Sequence, residues 1–185
     1  MTGAASLPTY EGNGGLHAQQ RTQVTAGSVP RDSEGYVLRG EEDPDGSAKN
    51  GEASQSEELR AAFEKHQAET ENQVERLEQV FELMDEPAKG KKCPAIEGII
   101  EEGQEVMKEF KNSPAHDSGL LAGAQAVEHY EISRYGTLIA WAKQMGMREA
   151  AALLGETLTE EKNTDKALSA LAEAALNRQA QEAAE

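Results

Sequence analysis

Cysteine is almost absent from this 185-residue chain. Cys93 stands alone, so no internal disulfide can form and the expected setting is a reducing compartment. Long apolar runs are missing as well. Nothing approaches the roughly 20 residues that span a bilayer, and no charged n-region followed by an apolar h-region opens the chain. The expectation is a cytoplasmic protein with no membrane partner. Basic residues are scarce, 18 against 34 acidic, for a formal charge of −16. Such a surface repels phosphate backbones and anionic lipid, which argues against a nucleic-acid partner and makes cations the natural ones. Acidic surfaces also serve solubility, so net charge alone assigns no metal affinity. There is no Gly-rich phosphate loop, no cysteine cluster of zinc spacing and no persuasive Ser/His/Asp set.

What is present divides into two unlike parts. Residues 1–53 are rich in Gly, Pro, Ser and Asp and carry neither a 3.6 nor a 2.0 hydrophobic period, the composition of a disordered segment. Residues 54–185 turn to Ala, Leu, Glu, Lys and Gln, the strong helix formers, with Pro and Gly confined to short breaks. The spacing predicts an all-α, up-and-down bundle of three long helices and one short one. The first opens at Ser54 with Glu57 in capping-box position and runs to about Met84, before Pro87 and Gly90. A shorter piece starts near Pro94 and runs to about Lys111, with a break expected at Gly103. The third runs from about Asp117 or Ser118 to Gly146, and the fourth from Arg148 toward Ala183, fraying at its end.

Each long helix carries a seam in alternating steps of three and four. The first seam is Leu59, Phe63, His66, Thr70, Gln73, Leu77, Val80 and Met84. The third helix gives Leu121, Ala124, Glu128, Glu131, Tyr135, Leu138, Ala142 and Met145, and the fourth Ala150, Leu154, Thr157, Glu161, Asp165, Leu168 and Ala172. All three seams are apolar at the ends and polar in the middle. An ionised carboxylate buried without a partner costs several kcal/mol or more, so acids from separate helices at one level need something to neutralise them. A dication does so. Glu128 with Glu131 (i, i+3) and Glu161 with Asp165 (i, i+4) each place two oxygen donors on one face. Hard oxygen donors with an imidazole suit iron or manganese, and dinuclear bundles use Glu-x-x-His pairs. His66 and Glu69 have that spacing in reverse order, which weakens His66 as a direct ligand. The bland alternatives are a metal-free structural or interaction bundle with register-fixing polar residues in its core, and pairing of Glu128 and Glu131 with Arg134 or Lys143.

Four stretches carry a family resemblance: FEKHQAETENQVERLEQV at 63–80, KGKKC at 89–93, VEHYEISRYGTL at 127–138 and ETLTEEKNTD at 156–165. Together they resemble the YciE/YciF-like ferritin-like family over roughly 120 residues. The resemblance implies a rubrerythrin-like four-helix core plus a short helix, a homodimer and a link to bacterial stress responses. It also implies Glu69, Glu128, Glu131, Glu161 and Asp165 as ligands of a dinuclear site, with His66, Thr70, Gln73 and Tyr135 near the centre. One part is missing. Such a bundle begins with a helix bearing a motif like DLYYAE, and residues 1–53 hold nothing comparable.

The genetic code offers an explanation. Residues 27–53, back-translated with permitted codons and read one base forward, can give DLFLETLKDTYYAEKKILTALPKMAK, ending where SQSEELR continues in the chain's own frame. Degeneracy leaves many positions free, but Glu41 and Glu42 must yield basic residues and Tyr36 must yield Thr or Met. The expectation is a single-base deletion near Glu52 or Ala53. The competing reading is a genuine tail on a three-helix remnant.

Overall fold

The computed structural model describes residues 54–88 and 93–182, and among these every regular element is helical. The expectations for residues 1–53 lie outside the described residues. Helix α1 is Glu57–Leu83, α2 Pro94–Glu109, α3 His116–Gln144 and α4 Arg148–Leu171; a π-helical turn, Ala172–Leu176, leads into the short α5, Asn177–Glu182.

The helix ends obey local chemistry, with three departures from the sequence reading. The N-cap of α1 is Ser56, whose Oγ accepts the Leu59 N–H at 3.3 Å, and not Ser54. Ser54 is buried and used elsewhere. The Asp117 carboxylate, in the first turn of α3, accepts the N–H groups of Gln55 and Ser56 at 3.0 and 2.7 Å and faces the Ser54 hydroxyl at 3.4 Å. Helix α2 passes through Gly103 unbroken. The fourth predicted helix is interrupted by the π turn, an insertion that rotates the residues beyond it about the helix axis. There the Ser118 hydroxyl donates to the Leu176 carbonyl at 3.1 Å. Helix α3 ends, as its sequence predicts, at Gly146, whose φ of +74° suits glycine.

Two apolar clusters fix the directions of the helices. One joins Leu77, Val80 and Met84 of α1 to Tyr135, Leu138 and Ala142 of α3 and to Ala150, Ala151 and Leu154 of α4. The other joins Leu59 and Phe63 of α1 to Leu120 and Leu121 of α3, to Leu168 of α4 and to Leu176. Early residues of α1 thus meet early residues of α3 and late residues of α4. Helices α1 and α3 run parallel, and α4 runs antiparallel to both. Helix α4 packs closely along each of them, whereas α1 and α3 face one another across a wider gap. Helix α2 lies on α3. Its Val106 Cγ1 sits 2.7 Å from where a Cβ at Gly119 would stand, and the Gly103 Cα 3.5 Å from one at Gly123. At 100° per residue that glycine face of α3 is nearly opposite the face carrying Glu128 and Tyr135, so α2 packs on the back of the bundle.

Candidate metal centre

Between the two apolar clusters the seams are polar. Thr70 and Gln73 of α1, Glu128 and Glu131 of α3, and Thr157, Glu161 and Thr164 of α4 are all buried, with Glu128 at 2% and Glu161 at 0% exposure. His66 is nearly so, at 15%. Thr70 returns its hydroxyl proton to the His66 carbonyl, an ordinary back-bond within the helix. The acids have no such outlet.

Ligand atoms of His66, Glu128 and Glu161, one from each seam helix, lie within 4.8 Å of one another. His66 Nε2 stands 3.5 Å from Glu128 Oε1. His66 Nδ1, Glu69 Oε2, Glu128 Oε2 and both Glu161 carboxylate oxygens are buried and meet no hydrogen-bond partner. Buried polar atoms are almost always satisfied, so five orphans at one level of one bundle need an account. A cation of first-row size, which takes carboxylate and imidazole donors together, fits this donor set.

The electrostatics agree. Burial pushes the Glu128 carboxyl up to about 8, and the charges of Glu131, Asp165 and Glu69 add to the shift. Burial pushes Glu161 up to about 10, with Glu128 adding. Without a cation the pair holds protons at neutral pH; a bound dication displaces them. Burial also lowers the His66 pKa, which favours the neutral imidazole that ligates metals.

The six residues marked out in the sequence are not equivalent in the structure. His66, Glu128 and Glu161 come together. Glu131 is buried at the same level and is a polar neighbour of Glu161. Glu69 is divided, with Oε1 accepting from the exposed Lys65 ammonium and Oε2 buried. Asp165 sits at the rim, where Oδ1 accepts from Gln125 Nε2 at 3.0 Å and lies 3.1 Å from His129 Nε2. His129 received no role from the sequence. Nor did the bidentate pair of Arg76 with Glu160, both contacts 2.6 Å, which ties α1 to α4 beside the centre. Gln73 Nε2 donates to Glu160 Oε2 at 3.3 Å and is also a neighbour of Glu161, linking the ion pair to the buried acids. Arg76 and Glu160 lie one step off their seams, where charged residues are commonly solvated, so spacing alone could not mark them.

A helical bundle with carboxylates and an imidazole buried at one level defines the class. The chain belongs to the family described as Domain of unknown function DUF892, which matches residues 47–181. It is 47% identical over 135 residues to Protein YciF of Escherichia coli strain K12, covering 72% of this chain and 81% of that protein. The crystal structure of the E. coli stress protein YciF superposes with a TM-score of 0.70 at 39% identity, over 85% of this chain and 93% of that one. YcfI of Rhodopseudomonas palustris, described as a candidate structural protein, gives 0.69 at 33% identity, over 83% and 90%.

Proposed function

We propose that this chain is a ferritin-like stress protein whose His66–Glu128–Glu161 cluster, flanked by Glu69 and Glu131, binds iron or manganese in a mono- or dinuclear centre. The observation that carries this reading is the group of buried, unpartnered ligand atoms contributed by three helices. The similarity to an E. coli stress protein supports the biological setting. In this reading the protein is cytoplasmic, its partners are metal ions and a second copy of itself, and the bound metal would supply redox chemistry with oxygen or peroxide. Asp165, at the rim with His129, stands outside the inner set and would serve the ion on its way in.

The test is anaerobic loading of the purified full chain with ferrous iron or manganese, with bound metal and melting temperature both measured. Expected results are bound metal and a metal-dependent rise in melting temperature, with both lost in Glu161→Gln and His66→Ala. No bound metal and no stabilisation, in a chain that melts cooperatively, would favour the metal-free interaction bundle.

A further inference from the structure

Helices α1, α3 and α4 occupy three corners of a four-cornered bundle. The fourth corner lies across from α4 and touches both α1 and α3, and among the described residues no helix stands there. On α1, the flank turned away from the α4-bound Gln73 and Arg76 carries Val74 and Phe81. Phe81 is buried, yet it stands outside both apolar clusters. An up-and-down bundle needs an occupant antiparallel to α1 and α3, ending where they begin. The Asp117 clasp holds Ser54–Ser56 at that end. A helix immediately preceding Ser54 meets both requirements.

We infer that the occupant is the helix encoded by codons 27–52 read one base forward, and that the gene has lost a base near codons 52–53. Three observations converge on it. The first is length. At 1.5 Å per residue those codons give a helix of about 39 Å, comparable with α1 and α3.

The second is a set of basic positions that codon choice cannot remove. Glu34, Glu41, Glu42, Lys49 and Glu52 each force Lys or Arg in the shifted frame, whatever synonymous codon is used. Permitted codons allow an apolar seam on codons 30, 33, 37, 44, 47 and 51, in steps of three and four once codon 40 is included. At 100° per residue every forced base flanks or opposes that stripe, as a helix with one buried face requires. The proline in the shifted reading arises at codon 48, one of the free positions, which also permits Leu, Gln or Arg.

The third is register. With GGA as codon 40, one of the four glycine codons, the shifted reading places a glutamate across codons 40 and 41, twelve residues before its end at codon 52. Glu69 lies twelve residues from Glu57 at the start of α1, and Glu128 twelve from His116 at the start of α3. All three therefore stand about 18 Å from the same end of the bundle. The fourth corner delivers its carboxylate to the level of the orphaned ligand atoms. That carboxylate's role as a ligand rests on the metal-centre reading; the seat of the helix does not.

The gene's nucleotide sequence is the first test. Codon 40 is expected to be GGA, and the shifted frame to keep its apolar seam through codon 52; a different base there, or a seam broken by polar residues, overturns the inference. The second test compares the full chain in its own frame with one in which codons 27–52 are read in the shifted frame and joined in frame to Ser54. The corrected chain should melt on the order of 10 °C higher without metal, as expected for several kcal/mol of added packing. No rise overturns the seat even if the codons agree. Replacing the new glutamate by glutamine should then weaken iron or manganese binding at least about tenfold, as expected for a removed ligand or its hydrogen-bonded support. Unchanged affinity overturns the ligand role. If neither chain binds metal while the corrected one still melts higher, the metal-centre reading fails and the helix stands.

Discussion

Replacing Glu161 by glutamine should make the metal-free protein more stable at neutral pH. The carboxyl is fully buried and has its pKa pushed from 4.5 to about 10 by burial, with Glu128 adding. Because the folded-state pKa lies above the unfolded one, the group contributes its full stability below pH 4.5 and loses it as pH rises toward about 10. At about pH 7 the unfolded chain has ionised Glu161 and the folded one must keep it protonated. That difference costs about 3 kcal/mol, from roughly 1.4 kcal/mol per pH unit over the interval from 4.5. Glutamine has nearly the same shape and does not titrate, and its amide can donate to Glu128. The expected result in chelator-treated protein is a melting temperature raised by roughly 6–12 °C at neutral pH, shrinking to nothing near pH 4.5. The assay is thermal melting of wild type and Glu161→Gln from about pH 4.5 to 8, with and without metal. In the presence of iron or manganese the order should reverse, because only wild type gains the metal's contribution. A variant no more stable than wild type at neutral pH, with an unchanged pH slope, would refute the account of Glu161 as a buried acid kept for its ligand.

Three further outcomes are expected from the packing. Asp117→Ala removes the acceptor for the Gln55 and Ser56 N–H groups and should cost about 1–2 kcal/mol in urea unfolding. Arg76→Ala strands Glu160 against Gln73; the loss should be about 1–3 kcal/mol, and high salt should shrink it only partly, because Arg76 is 17% exposed. Gly119→Val drives a branched side chain into Val106, already 2.7 Å from a built Cβ, and should cost about 1–3 kcal/mol while sparing metal binding, since α2 lies behind α3.

The fold was legible because each seam repeats in threes and fours and because Pro and Gly fall only at its breaks. The polar middle of each seam was legible for the same reason: Glu128 and Glu161 occupy positions that periodicity reserves for the core. Periodicity assigns a face but not a neighbour. It groups Asp165 with Glu161, although Gln125 and His129 hold Asp165 at the rim. The order of a motif weighs against His66, whereas what brings His66 to Glu128 is the parallel course of α1 and α3. The sequence misplaces the cap of α1 by two residues because Ser54 and Ser56 are equally good caps locally, and Asp117, remote in sequence, chooses between them.

The parallel course of α1 and α3 has a topological cost: between Leu83 and His116 the chain must travel back along the whole bundle without taking a core corner. Helix α2 is that return passage, and Ile96 is its one fully buried residue. It resembles a strap laid over a closed case more than a wall of the case. Among the four long elements, its amide hydrogens should be the first to exchange with solvent. The strap can then lift and resettle while the three helices that hold His66, Glu128 and Glu161 keep their grip.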